Sequence, residues 1–168
     1  MRRCWLAIIF ILLFSLNSYA AKEAAVSSKN NISIVFDNGV GSNASARQAK
    51  AQNQIGNYMG PDLVRVFARY AKKGFTAKLI KSKGEYKKSE NEHLLLVKIT
   101  DYNPGNVAAR AFVGMGAGGV KLDIHYELFV NGKSVISKDD GVFSSRGWMM
   151  TARKLNENMA KEVTQAIQ

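Results

Sequence analysis

Val120-Lys121-Leu122-Asp123-Ile124-His125-Tyr126-Glu127-Leu128-Phe129-Val130 alternates over eleven residues between apolar even positions and mostly polar odd ones. Successive strand side chains point to opposite faces, so this period of two predicts a β-strand with one buried face and one wet face. Asn131-Gly132 follows. It is the preferred pair for a two-residue type I′ hairpin, because both residues tolerate positive φ. The return strand then runs from Lys133 to about Phe143. This hairpin with a single apolar face needs a layer to cover it.

The next segment supplies part of the cover. Trp148, Ala152, Leu155, Met159, Val163 and Ile167 recur at helical spacing, with Arg153, Asn156, Lys161, Glu162 and Gln165 off the stripe, the pattern of an amphipathic helix on a core. Upstream, Leu94 to Ile99 (LLLVKI) is nearly continuous apolar sequence and suggests an interior strand buried on both faces. The turn cluster Asn103-Pro104-Gly105-Asn106 ends it. Ile32 to Phe36 (ISIVF) is a short β-branched strand closed by Asp37-Asn38-Gly39. Residues Ala44 to Tyr58 fit a helix of low apolar content capped by Ser42 or Asn43. Pro61 and Asp62 suit the first turn of a further helix, with Leu63, Val64, Phe67, Ala68 and Ala71 on its apolar face and Gly74 as its stop. Phe75 to Ile80 reads as a strand and Lys81 to Glu92 as a charged loop. The expected fold class is therefore α+β: a small, largely antiparallel sheet with two helices packed on one face.

The chain has 168 residues and a formal charge of +11. It is too short for a barrel enzyme of about 250 residues, and its 46% hydrophobic content is that of a globular chain. Residues 1–20 read as a secretory signal peptide. Arg2 and Arg3 make a positive start, Trp5 to Phe14 an unbroken apolar run, and Ser18-Tyr19-Ala20 the small-residue site, with cleavage between Ala20 and Ala21. The apolar run is about half the roughly 20 residues that span a bilayer. Cleavage leaves residues 21–30 as a polar lead-in, residues 31–168 as one domain, and a charge of +9 once the two leader arginines are lost. Cys4, the only cysteine, leaves with the leader. The mature chain then has no disulfide, thiol nucleophile or Cys-ligated metal. The expected product is exported, to the periplasm of a Gram-negative source or into the medium otherwise, with no membrane span after processing.

Residues 114–119 (GMGAGG) formally match G-x-G-x-x-G. A dinucleotide site needs a helix directly after the glycines to hold the pyrophosphate, and here a strand follows. A bend or close backbone approach at the strand entrance is the expected role. Asp123, His125 and Glu127 share the wet face, but neighbours two apart on a strand are about 6.8 Å apart. Three in a row cannot converge on one ion at about 2 Å. No G-x-S-x-G elbow is present, and Asp139 and Asp140 are adjacent, a poor start for an acid/base pair. The expectation is a non-enzymatic chain without cofactor or metal. A small-ligand or metal-dependent enzyme using the wet face near His125 is the less favoured class.

Charge is the more informative signal. Arg65, Arg69, Lys72, Lys73, Lys78, Lys81, Lys83, Lys87 and Lys88 are opposed only by Glu85, so this segment carries +8 and the remainder of the mature chain +1. A single-sign patch concentrates anions by its field alone. In an exported chain the candidates are lipid or glycan phosphates and carboxylates, or an acidic partner; nucleic acid is excluded by compartment. A solubilising lysine-rich surface is the competing reading.

The order LLLVKITDYNPGN, then Arg110, FVGMGAGG, VKLDIHYELFV and NGK, preceded by PDLVRVFARYAKKGF, resembles a bacterial family of envelope proteins known as a domain of unknown function. The resemblance implies a small α/β domain of the kind found in exported lipoproteins of envelope assembly and transport machines. It assigns no activity and no catalytic residue. Arg110, Gly114, Gly116 and Gly118 match the family pattern, with a structural role implied. The chain departs from many members in lacking a lipidation cysteine after the apolar run. The combined reading is a protein-interaction or assembly module of the cell envelope, bound to an envelope protein or an anionic envelope surface. Docking on anionic lipids or glycans by charge is the alternative.

Overall fold

A computed structural model describes residues 30–105 and 118–168. In chain order these form β1 (Asn30–Asp37), α1 (Ala46–Ala68), β2 (Phe75–Leu79), β3 (Glu92–Asn103), β4 (Val120–Val130), β5 (Lys133–Ser144) and α2 (Trp148–Ile167). The five strands make one sheet in the order β2-β1-β3-β4-β5. The fold is α+β, with both helices contributing to a single apolar core on one side of the sheet.

The sheet is mixed, with its longer pairings antiparallel as expected and a parallel part at the β2–β1–β3 side. β1 pairs in parallel with both β2 and β3, while β3–β4 and β4–β5 are antiparallel. The cause lies in the connections. α1 separates β1 from β2 and carries the chain back to the end of the sheet where β1 began, so β2 must run parallel to β1. β2 and β3 then flank β1 in the same direction, so residues 80–91 must traverse the sheet from end to end. The helices occupy one face, and this crossover lies on the other, where Lys83 sits 4.9 Å over the Phe129 ring and Tyr86 donates from its hydroxyl to the Glu92 carbonyl at 2.8 Å.

That crossover explains the double burial expected of Leu94 to Ile99. Leu95, Val97 and Ile99 face the helices and enter the core. Ser33 and Leu94 point the other way and are nonetheless buried, in register with Phe129 beneath the crossover. Further along the strand Lys98 is exposed, where the cover ends. The β4–β5 hairpin closes as its sequence requires, with Asn131 at φ +52° and Gly132 at φ +75°.

The helix pattern departs from the reading at Pro61. One helix runs from Ala46 to Ala68 with Pro61 inside it, capped by Ser45 rather than Ser42 or Asn43, the Ser45 hydroxyl accepting from the Gln48 N–H at 3.2 Å. An internal proline leaves the carbonyl four residues earlier without its donor. That residue is Asn57, and both it and Pro61 lie on the exposed side, where the freed carbonyl is open to solvent. Leu63, Val66 and Phe67 are buried, Val64 is half-buried, and Ala68 and Ala71 are exposed. Gly74, at φ +84°, ends a 3-10 turn over Ala71–Lys73. Gly56 allows α1 its close approach to the sheet: a Cβ there would stand 1.7 Å from Asn38 Oδ1.

α2 buries the expected stripe and one residue assigned to its polar side. Asn156 is fully buried; its amide donates to the Met59 carbonyl and to Asp62 Oδ2, both at 3.0 Å. This is a polar cross-link between the helices inside an otherwise apolar interface. Tyr58 and Trp148 extend that interface with ring centroids 5.5 Å apart, edge to face.

Candidate functional site

The residues with chemistry to offer collect on the helix-free face. Register places Asp37, Lys98, His125 and Asp139 in one row across β1, β3, β4 and β5. Lys98 lies 3.8 Å from Asp37, and His125 Nδ1 lies 2.9 Å from Asp139 Oδ1. His125 Nε2 is 3.4 Å from Glu127. Beside this row an open groove of about 340 Å³ has Val35 and Leu96 on its floor, Asp37, Lys98, His125 and Glu127 on its rim, and Lys83 of the crossover at its lip. Towards the next end of the sheet Lys121 pairs with Asp123 and Asp101.

The electrostatics of this face are compensated. The hydrogen bond to Asp139, assisted by Glu127, raises the His125 pKa, because an imidazolium can donate from both ring nitrogens at once. The hydrogen bond to Asp123 raises the Lys121 pKa in the same way. Each cation of the row thus stands against a carboxylate. Among the described residues no three acidic, His or Cys side chains group as a metal site.

His93 is the opposite case. It is buried at the start of β3, with Nε2 3.1 Å from Asn30 Oδ1 and no partner at Nδ1 among the described residues. Burial lowers its pKa, which favours the neutral ring. Tyr126 is buried on the core face and donates to Glu162 Oε2 at 2.8 Å; burial, then this bond, raises the phenol pKa. Lys138 meets the same carboxylate oxygen at 2.7 Å and lowers the Glu162 pKa.

The nine basic residues singled out from Arg65 to Lys88 do not share one surface. Arg65 and Arg69 belong to the helix layer, 3.7 Å from Asp62 and 2.9 Å from Glu157 respectively. Lys72 and Lys73 lie in the 3-10 turn after α1, Lys73 at 5.8 Å from the Tyr70 ring centre. Phe75 and Ala77 face the core, so alternation turns Lys78 to the helix-free side. Lys81, Lys83, Lys87 and Lys88 follow in the crossover, with the Lys88 side chain against the hairpin tip at Gly132. Helix spacing alone groups the first four; only the path of residues 80–91 shows that the rest lie on the opposite face.

Of the glycine-region positions, Arg110, Gly114 and Gly116 lie outside the described residues, as do Ala20 and Ala21. Gly118 is described, at φ +72°. A Cβ at Gly105 would stand 2.1 Å from the Gly118 carbonyl oxygen, so two backbones meet closely at the entrance to β4. Lys98 and Asp37 were not singled out from sequence. The one available signal was a lysine interrupting the apolar run LLLVKI.

A family model described as a domain of unknown function (DUF4410) matches residues 16–149. The chain belongs to this family. The match takes in every strand of the sheet and α1, and ends in the first turn of α2. No curated protein matches. Among solved structures, the chain is similar to the PelC dodecamer from Paraburkholderia phytofirmans, at 12% identity and TM-score 0.49 over 84% of this chain and 90% of that one. It is similar also to protein XCC0632 from Xanthomonas campestris, described as family-model DUF330, at 8% identity and TM-score 0.49 over 82% and 84%. Lipoprotein GNA1162 from Neisseria meningitidis aligns at 12% identity and TM-score 0.43 over 82% and 97%. No helix among the described residues is long and apolar enough to cross a membrane.

Proposed function

We propose that this chain is an exported cell-envelope domain that works by binding, and that it takes up an extended segment of another envelope protein along β5. The observation that carries the reading is the open edge. β5 is a twelve-residue strand at the end of the sheet, against five residues at the opposite edge, β2. It carries Val135 and Phe143 exposed, at 49% and 61%. A long edge with uncovered apolar side chains is a template for strand addition: main-chain hydrogen bonds supply affinity and alternate side chains supply selectivity. Lys138 and Asp139 in the middle of the strand act against indiscriminate pairing. The signal-peptide pattern of residues 1–20 supports export.

The helix-free face supports binding in preference to catalysis. The two His125 nitrogens stand against Asp139 and Glu127, and that arrangement stabilises a charged ring rather than a free base.

Photocrosslinking in the producing cells tests the reading. A photoreactive side chain at position 135 should yield one discrete protein adduct, weakened by charged substitution of the neighbouring Ser137. The same probe at position 78 on β2 should yield none. No adduct from β5, or equal adducts from both edges, would overturn it.

A further inference from the structure

We infer that the end of the molecule built by the β5–α2 connection is a docking surface for an anionic lipid bilayer. This does not depend on strand addition at β5; the two surfaces share only Phe143, near the end of that strand, and the residues tested below lie outside it.

Six large apolar side chains are exposed among the described residues, and three of them fall within residues 143–150: Phe143, Met149 at 55% and Met150 at 49%. Their exposure has local causes. Phe143 alternates with the buried Val142 and therefore turns to the helix-free side, where its ring lies against the Gly119 backbone; a Cβ there would stand 2.3 Å from the ring. Met149 and Met150 lie in the first turn of α2, outside the stripe that begins with Thr151 and Ala152. Phe143 and Met150 line one shallow groove, of about 580 Å³, together with Arg146, Arg153 and Lys154.

The charge around this apolar tip is of one sign in excess. Arg153 shares Glu157 with Arg69, so two guanidinium groups meet one carboxylate. Arg146 and Lys154 have no carboxylate partner among the described residues. α2 also begins at Gly147 with no side-chain cap and no acidic residue in its first turn, which leaves the positive end of its dipole uncompensated. Exposed, flexible apolar side chains ringed by uncompensated cations match the boundary of an anionic bilayer. Apolar groups enter the acyl region there while Arg and Lys reach phosphates. A purely acidic protein surface would satisfy the cations but leave Met149 and Met150 without an apolar partner.

Sedimentation of the processed chain with phosphatidylcholine vesicles, with and without phosphatidylglycerol, tests this. Binding should require phosphatidylglycerol. Each basic residue near a membrane surface contributes roughly a factor of five. The double variant Arg146→Gln with Lys154→Gln should therefore lose about 30-fold in partitioning. Lys72→Gln with Lys73→Gln, which removes the same charge elsewhere, should lose far less. Once the leader is gone, Trp148 is the only tryptophan, so brominated phosphatidylglycerol should quench its fluorescence. Met149→Gln with Met150→Gln, at exposed positions that leave the core intact, should abolish that quenching; an unchanged melting curve verifies the fold. Three results would overturn the inference: no binding to phosphatidylglycerol vesicles, equal losses from the two charge variants, or binding to polyglutamate as tight as to vesicles.

Discussion

Replacing Asn156 by Leu tests the polar link between the helices. The amide is fully buried and donates to the Met59 carbonyl and to the Asp62 carboxylate. A hydrogen bond to a charged group contributes about 1.5–3 kcal/mol and a neutral one about 1 kcal/mol. The Asn156 oxygen has no partner among the described residues, and removing such a group returns about 1 kcal/mol or more. The net cost should be about 2 kcal/mol, or a melting temperature lower by about 7 °C for a domain of this size. The sharper result comes from a double-mutant cycle. Asn156→Leu leaves the largely buried Asp62 facing, among the described residues, only Arg65 at 3.7 Å. Adding Asp62→Leu removes the stranded carboxylate, so the double variant should cost no more than Asn156→Leu alone. Urea unfolding with matched m-values measures all three. Additive costs for the two single variants would refute the coupling, and a change below about 0.5 kcal/mol for Asn156→Leu would refute the link itself.

Gly39→Ala should destabilise by about 2–4 kcal/mol, since φ is +66° and the added Cβ would meet the Ile99 carbonyl oxygen at 1.8 Å; a thermal melt within 2 °C of wild type would contradict this. The two histidines should act with opposite sign. His93 has a lowered folded pKa, so the unfolded chain binds the extra proton and stability falls as the pH drops below about 6.5. His125 has a raised folded pKa, so its contribution is complete below about pH 6.5 and lost as the pH rises through the folded value. Urea midpoints from about pH 5 to 8 should lose their acid-side fall in His93→Gln and their alkaline-side fall in His125→Gln; an unchanged profile in either would sink that assignment. Tyr126→Phe should cost about 1.5–3 kcal/mol by removing the donor to the Glu162 carboxylate, with little effect in a Lys138→Met, Glu162→Met background, where that acceptor is already gone.

The parts of the fold legible in advance are those governed by neighbours in the chain. The alternation of Val120–Val130, the Asn131-Gly132 turn and the stripe from Trp148 to Ile167 appear in the structure because side-chain period and turn φ are local properties. The burial of Asn156 is not legible in the sequence, because burial of a polar residue depends on a partner, here Asp62, 94 positions away. Pro61 misled because whether a proline ends a helix depends on what can satisfy the freed carbonyl, and that depends on which side meets water. The His125 face was visible as a wet strand face, but its pairing with Asp139 needed the hairpin register, and the Asp37–Lys98 pair needed β1 to lie beside β3.

By itself the sequence determines the α+β class, the amphipathic elements, the membership of the family and the charge carried by residues 65–88. Tertiary structure alone decides that β1 sits between β2 and β3 in parallel, and so that residues 80–91 cross the helix-free face. That path separates the lysines of the crossover from Arg65 and Arg69 and buries Leu94 on the far side. The same topology puts β5 at the edge of the sheet and brings Phe143 to Met150 and Lys154. Periodicity reports which side of an element is apolar. Which elements become neighbours is settled by packing between residues far apart in the chain, and the two candidate binding surfaces of this protein are products of that packing.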